Sequence, residues 1–235
     1  KDYSLGFRDD QVEWLRQDLS YVSKDKMVIL CVHIPMRASG NQNVQAVFEL
    51  LKPFAEVHVM SGHTHYAENN VYDSHYEHVH GAACGAWWNS TINVDGTPNG
   101  YAIYNIKGAT ITDWVYKGTG LDAQQQIRLY RANDIFMRDY SKNYQFYYKG
   151  DDQIVANVWN ADKDWKIEVY ENGIKTGEMT HFDYTGNEKD KSWDAWALGY
   201  HIGVVGKAEL DSNKKPTSYY QRNVRHLYYY TLQSP

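Results

Sequence analysis

"EVHVMSGHTH", Glu56 to His65, decides the fold of this chain. Val57 and Val59 flank His58 with the period of a short strand, Glu56 to Met60. The strand breaks at Ser61-Gly62-His63, where Gly62 lets the backbone turn tightly. His58 faces away from the two valines and reads as structural. Upstream, Val44, Val47, Phe48 and Leu51 recur at helical spacing and stop at Pro53. Before them "MVILCV", Met27 to Val32, is an unbroken apolar run, as in a strand buried on both faces. It ends at His33, with Pro35 two residues on. Strand, helix, strand predicts a βαβ unit, and the 30 residues from His33 to His63 match the length of one. The two strands of such a unit run parallel. Their C-terminal ends then share one sheet edge, where open α/β sheets hold ligands. His33, His63 and His65 are thereby brought to one rim.

Outward from this unit, "RDDQVEWLRQDLSYV" spaces Val12, Leu15, Leu19 and Val22 as a helix from about Asp10 to Val22. Asp9 and Asp10 sit where an N-cap and first-turn acids belong. From Val71 the segments "HYEHVHGAACGAWW", "GYAIYNIKG" and "TITDWVYKG" are strand-like, and are expected as antiparallel strands finishing the sheet. "DGTPNG", Asp95 to Gly100, is a turn cluster. Beyond "YKGTGLDAQQQ", the runs "IVANVW", "WKIEVYENGIKTGEM" and "RHLYYYTL" read as strands, with Asn172-Gly173 as a hairpin turn. Helical patterns are few there. The expected fold class is α/β plus all-β, with the boundary near residues 118–127. Residues 1–120 form the α/β part, and 121–235 a small all-β domain, read as a sandwich.

The bulk composition narrows the function. A net charge of −5 gives no basic footprint for nucleic acid. No stretch approaches the roughly 20 apolar residues of a membrane span. No signal peptide is visible, and a chain opening on Lys1 gives that no weight. Cys31 and Cys84 lie in apolar runs and are expected as buried thiols; two cysteines leave the compartment open.

The H-x-H pair can offer two imidazoles to one metal or to two neighbouring metals, and neutral imidazole suits Zn, Mn and Fe. His75, His78 and His80 in "DSHYEHVH" read as a polar strand face that could add ligands. Trp87-Trp88 either stacks a sugar or base or divides between core and surface. Trp193 and Trp196 offer a second, weaker sugar platform. The chain has no P-loop, no G-x-S-x-G elbow and no CxxC, so its chemistry rests on the histidines.

His33 in "VHIP", followed by "GHTH" at 62–65, resembles the last two metal motifs of calcineurin-like metallophosphoesterases. The upstream helix "QVEWLRQDL" fits the same family. "GAACGAWW" (81–88), "DGTPNGY" (95–101) and "WVYKGTG" (114–120) resemble a bacterial branch in which a β-sandwich domain follows the catalytic one. The resemblance covers nearly the whole chain. It implies a hydrolase acting on a phosphate ester through two divalent transition metals of the Mn, Fe or Zn type. The metals of such centres lie about 3.5–4 Å apart, activate water and neutralise phosphoryl charge. His33 and His63 would bind one ion and His65 the other.

The family's first three motifs, a DxH, a GDxxD and a GNH followed by Asp or Glu, are absent. They would supply the bridging aspartate, the Asn ligand, the remaining ligands of the second metal and the histidine that assists the leaving group. Asp73-Ser74-His75 follows GHTH instead of leading the domain. Gly150-Asp151-Asp152 lacks the second aspartate at the right spacing, and Gly186-Asn187 precedes Glu188 instead of His. The chain therefore reads as the C-terminal half of an α/β metallophosphoesterase sandwich plus its β-domain. Alone it is expected to bind metal weakly and to be inactive. Competing readings are a non-catalytic β-sandwich binding module and a structural remnant. The half-sheet is expected to leave an open edge, covered by self-association or by a missing N-terminal segment.

Overall fold

The computed structural model describes residues 5–36, 41–132, 152–182, 193–205 and 223–233. They form a mixed α/β chain with several sheets and few helices. Helix α1 (Asp9–Ser20) buries Val12, Leu15 and Leu19. Its first turn is closed by Arg8 N donating to Gln11 Oε1 at 2.9 Å. Helix α2 (Val44–Leu51) buries Val44, Val47 and Leu51. Strands β1 (Met27–Cys31) and β2 (Glu56–Ser61) pair in parallel, from Met27 opposite Glu56 to Cys31 opposite Met60. Val57 and Val59 of β2 join the core formed by both helices. The βαβ unit is present, with its core on the valine face of β2.

The sheet continues differently from expectation. β4 (Tyr76–Val79) pairs parallel to β2, and β3 (Glu68–Val71) pairs antiparallel to β4, giving the order β1-β2-β4-β3. The chain after GHTH first runs back as β3, so "HYEHVH" extends the parallel set. Residues 81–88 form no strand, and 83–88 are turns. β5 (Gly100–Lys107) and β6 (Thr110–Gly118) form a separate hairpin instead of finishing the sheet. It lies over the face that carries His58 and His78, with Tyr104 and Trp114 edge-on to the His78 ring at 5.1 and 5.3 Å.

β1 has a strand on one side among the described residues. It is half-buried, Cys31 is exposed and Cys84 is partly exposed. The expectation of two buried thiols is corrected on this point. An apolar run of strand length does not distinguish a central strand from an edge strand.

In the C-terminal part, β7 (Ile127–Arg131), β8 (Gln153–Val158), β11 (Thr180–His181) and β12 (Leu227–Thr231) form an antiparallel sheet in the order β11-β12-β8-β7. β9 (Glu168–Glu171) and β10 (Ile174–Glu178) are a hairpin whose turn places Asn172 and Gly173 at φ 51° and 81°, as the Asn-Gly signal predicts. Helix α3 (Ala195–Tyr200), followed by a π turn at His201–Val205, was not expected. Its signal is Asp194, an N-cap that accepts a hydrogen bond from Ala197 N at 2.8 Å. Trp196 is used in packing: the Arg128 guanidinium sits 4.0 Å over its ring, which stacks on Tyr200. Trp193 and Trp196 are both partly buried. Gly150-Asp151 and Gly186-Asn187-Glu188 lie outside the described residues.

Candidate metal centre

β1 and β2 end side by side, and their ladder continues past the strands. Val32 N donates to Met60 O at 3.0 Å, and Gly62 N donates to His33 O at 3.1 Å. This register delivers His33 and His63 to each other. His33 Nε2 and His63 Nδ1 face each other at 3.0 Å, with the rings edge-on at 4.9 Å. Both side chains are exposed at the sheet rim. Two ring nitrogens this close either share one hydrogen or both turn lone pairs toward a cation. At the usual metal–imidazole distance of about 2.1 Å, one ion reaches both. Partial desolvation, with His33 and His65 nearby, lowers the His63 pKa and favours the neutral, ligating form.

His65 stands apart from this pair. Its Nδ1 donates to Gly85 O at 2.7 Å, which leaves Nε2 as its lone-pair nitrogen. A backbone carbonyl on the far nitrogen is the usual device for orienting a ligating imidazole. The Trp87 ring lies nearly parallel over His65 at 4.7 Å. Gly62 is not the residue that bends the loop. The left-handed backbone falls on His63 (φ 69°) and His65 (φ 56°) themselves. Non-glycine residues held in that region cluster at functional sites. Among the described residues no three His, Cys, Asp or Glu side chains gather as a metal cluster. What the geometry brings together is the His33–His63 pair, with His65 held separately by Gly85 O.

Two buried carboxylates hold the loops in place. Glu77 Oε1, fully buried on β4, accepts from Met36 N at 2.6 Å and ties down the "HIPM" loop that carries His33. Asp95 is 1% exposed. Its Oδ2 accepts from Ala67 N at 2.7 Å and from His226 Nε2 at 3.1 Å. Its Oδ1 accepts from Thr97 N and Thr97 Oγ1 at 3.1 and 2.8 Å. Val94 N bonds His65 O at 3.3 Å. Thus "DGTP" is a turn, as the sequence suggests, yet it is buried between the GHTH loop and the C-terminal sheet. Gly96 (φ 87°) is required there, because a Cβ would lie 2.6 Å from Asp194 Oδ2. Asn157 of β8 donates both to Asp95 O (2.7 Å) and to Asp194 Oδ2 (2.5 Å). Desolvation raises the pKa of the buried Asp194. The pairing of Asp95 with His226, 131 residues on, has no local signal in the sequence.

The histidines of "DSHYEHVH" lie elsewhere. His75 is stacked between Phe48 and Tyr72 at 4.4 and 4.6 Å. His78 Nε2 meets His58 Nδ1 at 3.0 Å, and His58 Nε2 meets Glu56 Oε1 at 2.8 Å. His80 bonds Ser61 O and the Tyr104 hydroxyl. His58, expected as structural, is buried in this network under the hairpin. Burial, with His58 and His80 adjacent, pushes the His78 pKa down to about 3.

Comparison with known proteins adds a family to this geometry. No curated protein matches the chain. A family model described as the C terminal of calcineurin-like phosphoesterase matches residues 77–235, from β4 through the aromatic loop and the DGTP turn to the end of the C-terminal sheet. Members of that superfamily are hydrolases of phosphate esters and generally use divalent metals. The chain belongs to the calcineurin-like phosphoesterase family.

Proposed function

We propose that this chain supplies the imidazole half of a two-metal phosphoesterase centre. In this reading His33 Nε2 and His63 Nδ1 hold one divalent ion of the Mn, Fe or Zn type, and His65 Nε2 reaches its neighbour. The approach of the first two nitrogens to 3.0 Å, at the C-terminal edge of parallel strands, carries the proposal. When bound, the ions activate water and neutralise charge on the phosphoryl group. The chain's own part is orientation. Parallel strand ends fix His33 and His63, and Gly85 O keeps the His65 proton on Nδ1. Glu77 and Asp95 hold the two loops. The β-domain, residues 121–235, acts through Asp95 as a brace for the GHTH loop, and its strands are read as a sandwich.

Catalytic sites usually have three or more protein ligands per metal. The carboxylate and Asn ligands and the leaving-group histidine belong to motifs this sequence lacks. The 235 residues alone therefore bind one divalent ion weakly and do not turn over phosphate esters. Zinc titration should show weak binding that falls by about 10-fold or more in His33→Ala and in His63→Ala. Hydrolysis of bis-p-nitrophenyl phosphate should stay at background with Mn2+ or Zn2+. Tight binding of two ions with efficient turnover would refute the half-centre. Affinity untouched by either substitution would refute the ligand assignment. The open side of β1 is the surface we assign to pairing with a second copy or an upstream segment.

A further inference from the structure

The loop beside His65 holds two large aromatic side chains out of the core. Trp87 is 50% exposed and Trp88 is 76% exposed. Their φ angles are 50° and 60°, a region that bulky side chains rarely occupy. The loop is tied at several points. Ala86 N bonds Ile92 O at 3.0 Å, Trp88 N bonds Cys84 O at 3.2 Å, and Asn99 Nδ2 bonds Ser90 O at 3.1 Å. A single exposed tryptophan needs no explanation. Two in succession, on left-handed backbone in a cross-tied loop, are held outward against their own preference. One face of Trp87 covers the His65 imidazole at 4.7 Å. Trp88 stands edge-on to the same imidazole at 6.3 Å, and the two indoles meet at 51° with centroids 6.4 Å apart. The result is an angle of two partly exposed indoles, in a cross-tied loop, beginning at a candidate metal ligand.

We infer that Trp87 and Trp88 form a stacking platform for the organic group of the ester, so that the site favours phosphate esters bearing a flat aromatic ring over aliphatic ones. The inference rests on reading His65 as part of a phosphoester centre. A flat ring laid on Trp88 would meet Trp87 at an angle, an arrangement aromatic rings favour. Such stacking accepts any nucleobase-like ring without hydrogen-bond readout. Preorganisation of the loop removes the ordering cost of binding.

Isothermal titration of the Mn2+-supplemented chain with four probes tests this: AMP, ribose 5-phosphate, adenosine and inorganic phosphate. AMP should bind about 10-fold more tightly than ribose 5-phosphate. Trp88→Ala should bring that ratio close to one while leaving the ribose 5-phosphate affinity unchanged. Trp88→Phe, which keeps a ring, should retain most of the ratio. Equal binding of AMP and ribose 5-phosphate, or a ratio that survives Trp88→Ala, overturns the platform and leaves the metal reading standing. Adenosine binding without response to either phosphate overturns the phosphoester reading, and the assignment of an ester with it. Response to none of the probes, adenosine included, overturns the platform, while the zinc titration decides the metal reading separately.

Discussion

At the scale of single residues, left-handed backbone and a buried carboxylate meet at the GHTH loop. His63 and His65 carry left-handed backbone, and Asp95 receives four hydrogen bonds beneath them. An aspartate so placed is a keystone, because each donor it serves would otherwise be buried without a partner. Asp95→Ala should destabilise the protein by about 3 kcal/mol, most of it from donors left unpaired. Urea unfolding measures this directly, and a loss below about 1 kcal/mol would show that water or relaxation satisfies those donors. The candidate ligands were legible in sequence because they follow strand ends at a fixed interval. Asp95 was read as a turn residue, since Asp-Gly-Thr-Pro has turn chemistry whether exposed or buried. Its buried role depends on His226, and no periodicity links the two.

At the scale of elements, the βαβ unit was legible because two different hydrophobic periods alternate within 35 residues, Met27 to Ser61, and proline ends the helical one. The hairpin β5–β6 was legible as strands but not as a separate layer. Its placement depends on what it covers, namely His58, His78 and His80 with Tyr76. That buried layer makes a pH prediction. His58, Tyr76 and His80 face His78 within the sheet, Glu56 at the start of β2 bonds His58 on its other nitrogen, and Tyr104 faces His78 from the hairpin. Asp162 reaches the layer through the Tyr76 hydroxyl at 2.9 Å. The folded chain keeps His78 neutral down to about pH 3, while an unfolded histidine takes up a proton near pH 6.5. Protons therefore favour the unfolded state between these values. Stability should be fully present above pH 6.5 and fall by up to about 1.4 kcal/mol per pH unit below it from this group. Thermal unfolding from pH 7.5 to 4.5 tests the slope, which His78→Phe should reduce. An unchanged slope in that variant would assign the acid sensitivity to other groups.

At the scale of the whole molecule, the α/β part and the C-terminal sheet are joined by buried polar contacts. His226 and Asn157 close on the DGTP turn, and Arg225 bonds Asn70 at 2.7 Å. The family match, residues 77–235, includes both sides of this joint. The sequence separates them near residue 120, at the turn-rich stretch "YKGTGLDAQQQ" between two runs of strands, and the contacts that join them lie far apart in the chain. The opposite side of the molecule differs. Among the described residues β1 pairs on one side only, with Leu5 and Trp14 exposed nearby and a cavity of about 430 Å³ lined by Trp14, Leu30 and His33. Light scattering should show association that rises with concentration, as an uncovered apolar edge favours. A clean monomer at millimolar concentration would mean that the edge protects itself.

Nitrogen-15 NMR of the histidine rings during zinc titration reads whether His33 and His63 share one ion. His33 Nε2 and His63 Nδ1 should shift together at the first equivalent, while the buried His58 and His78 stay unmoved. Zinc that shifts neither of the first two, or that shifts His58 and His78 instead, would contradict a shared ion.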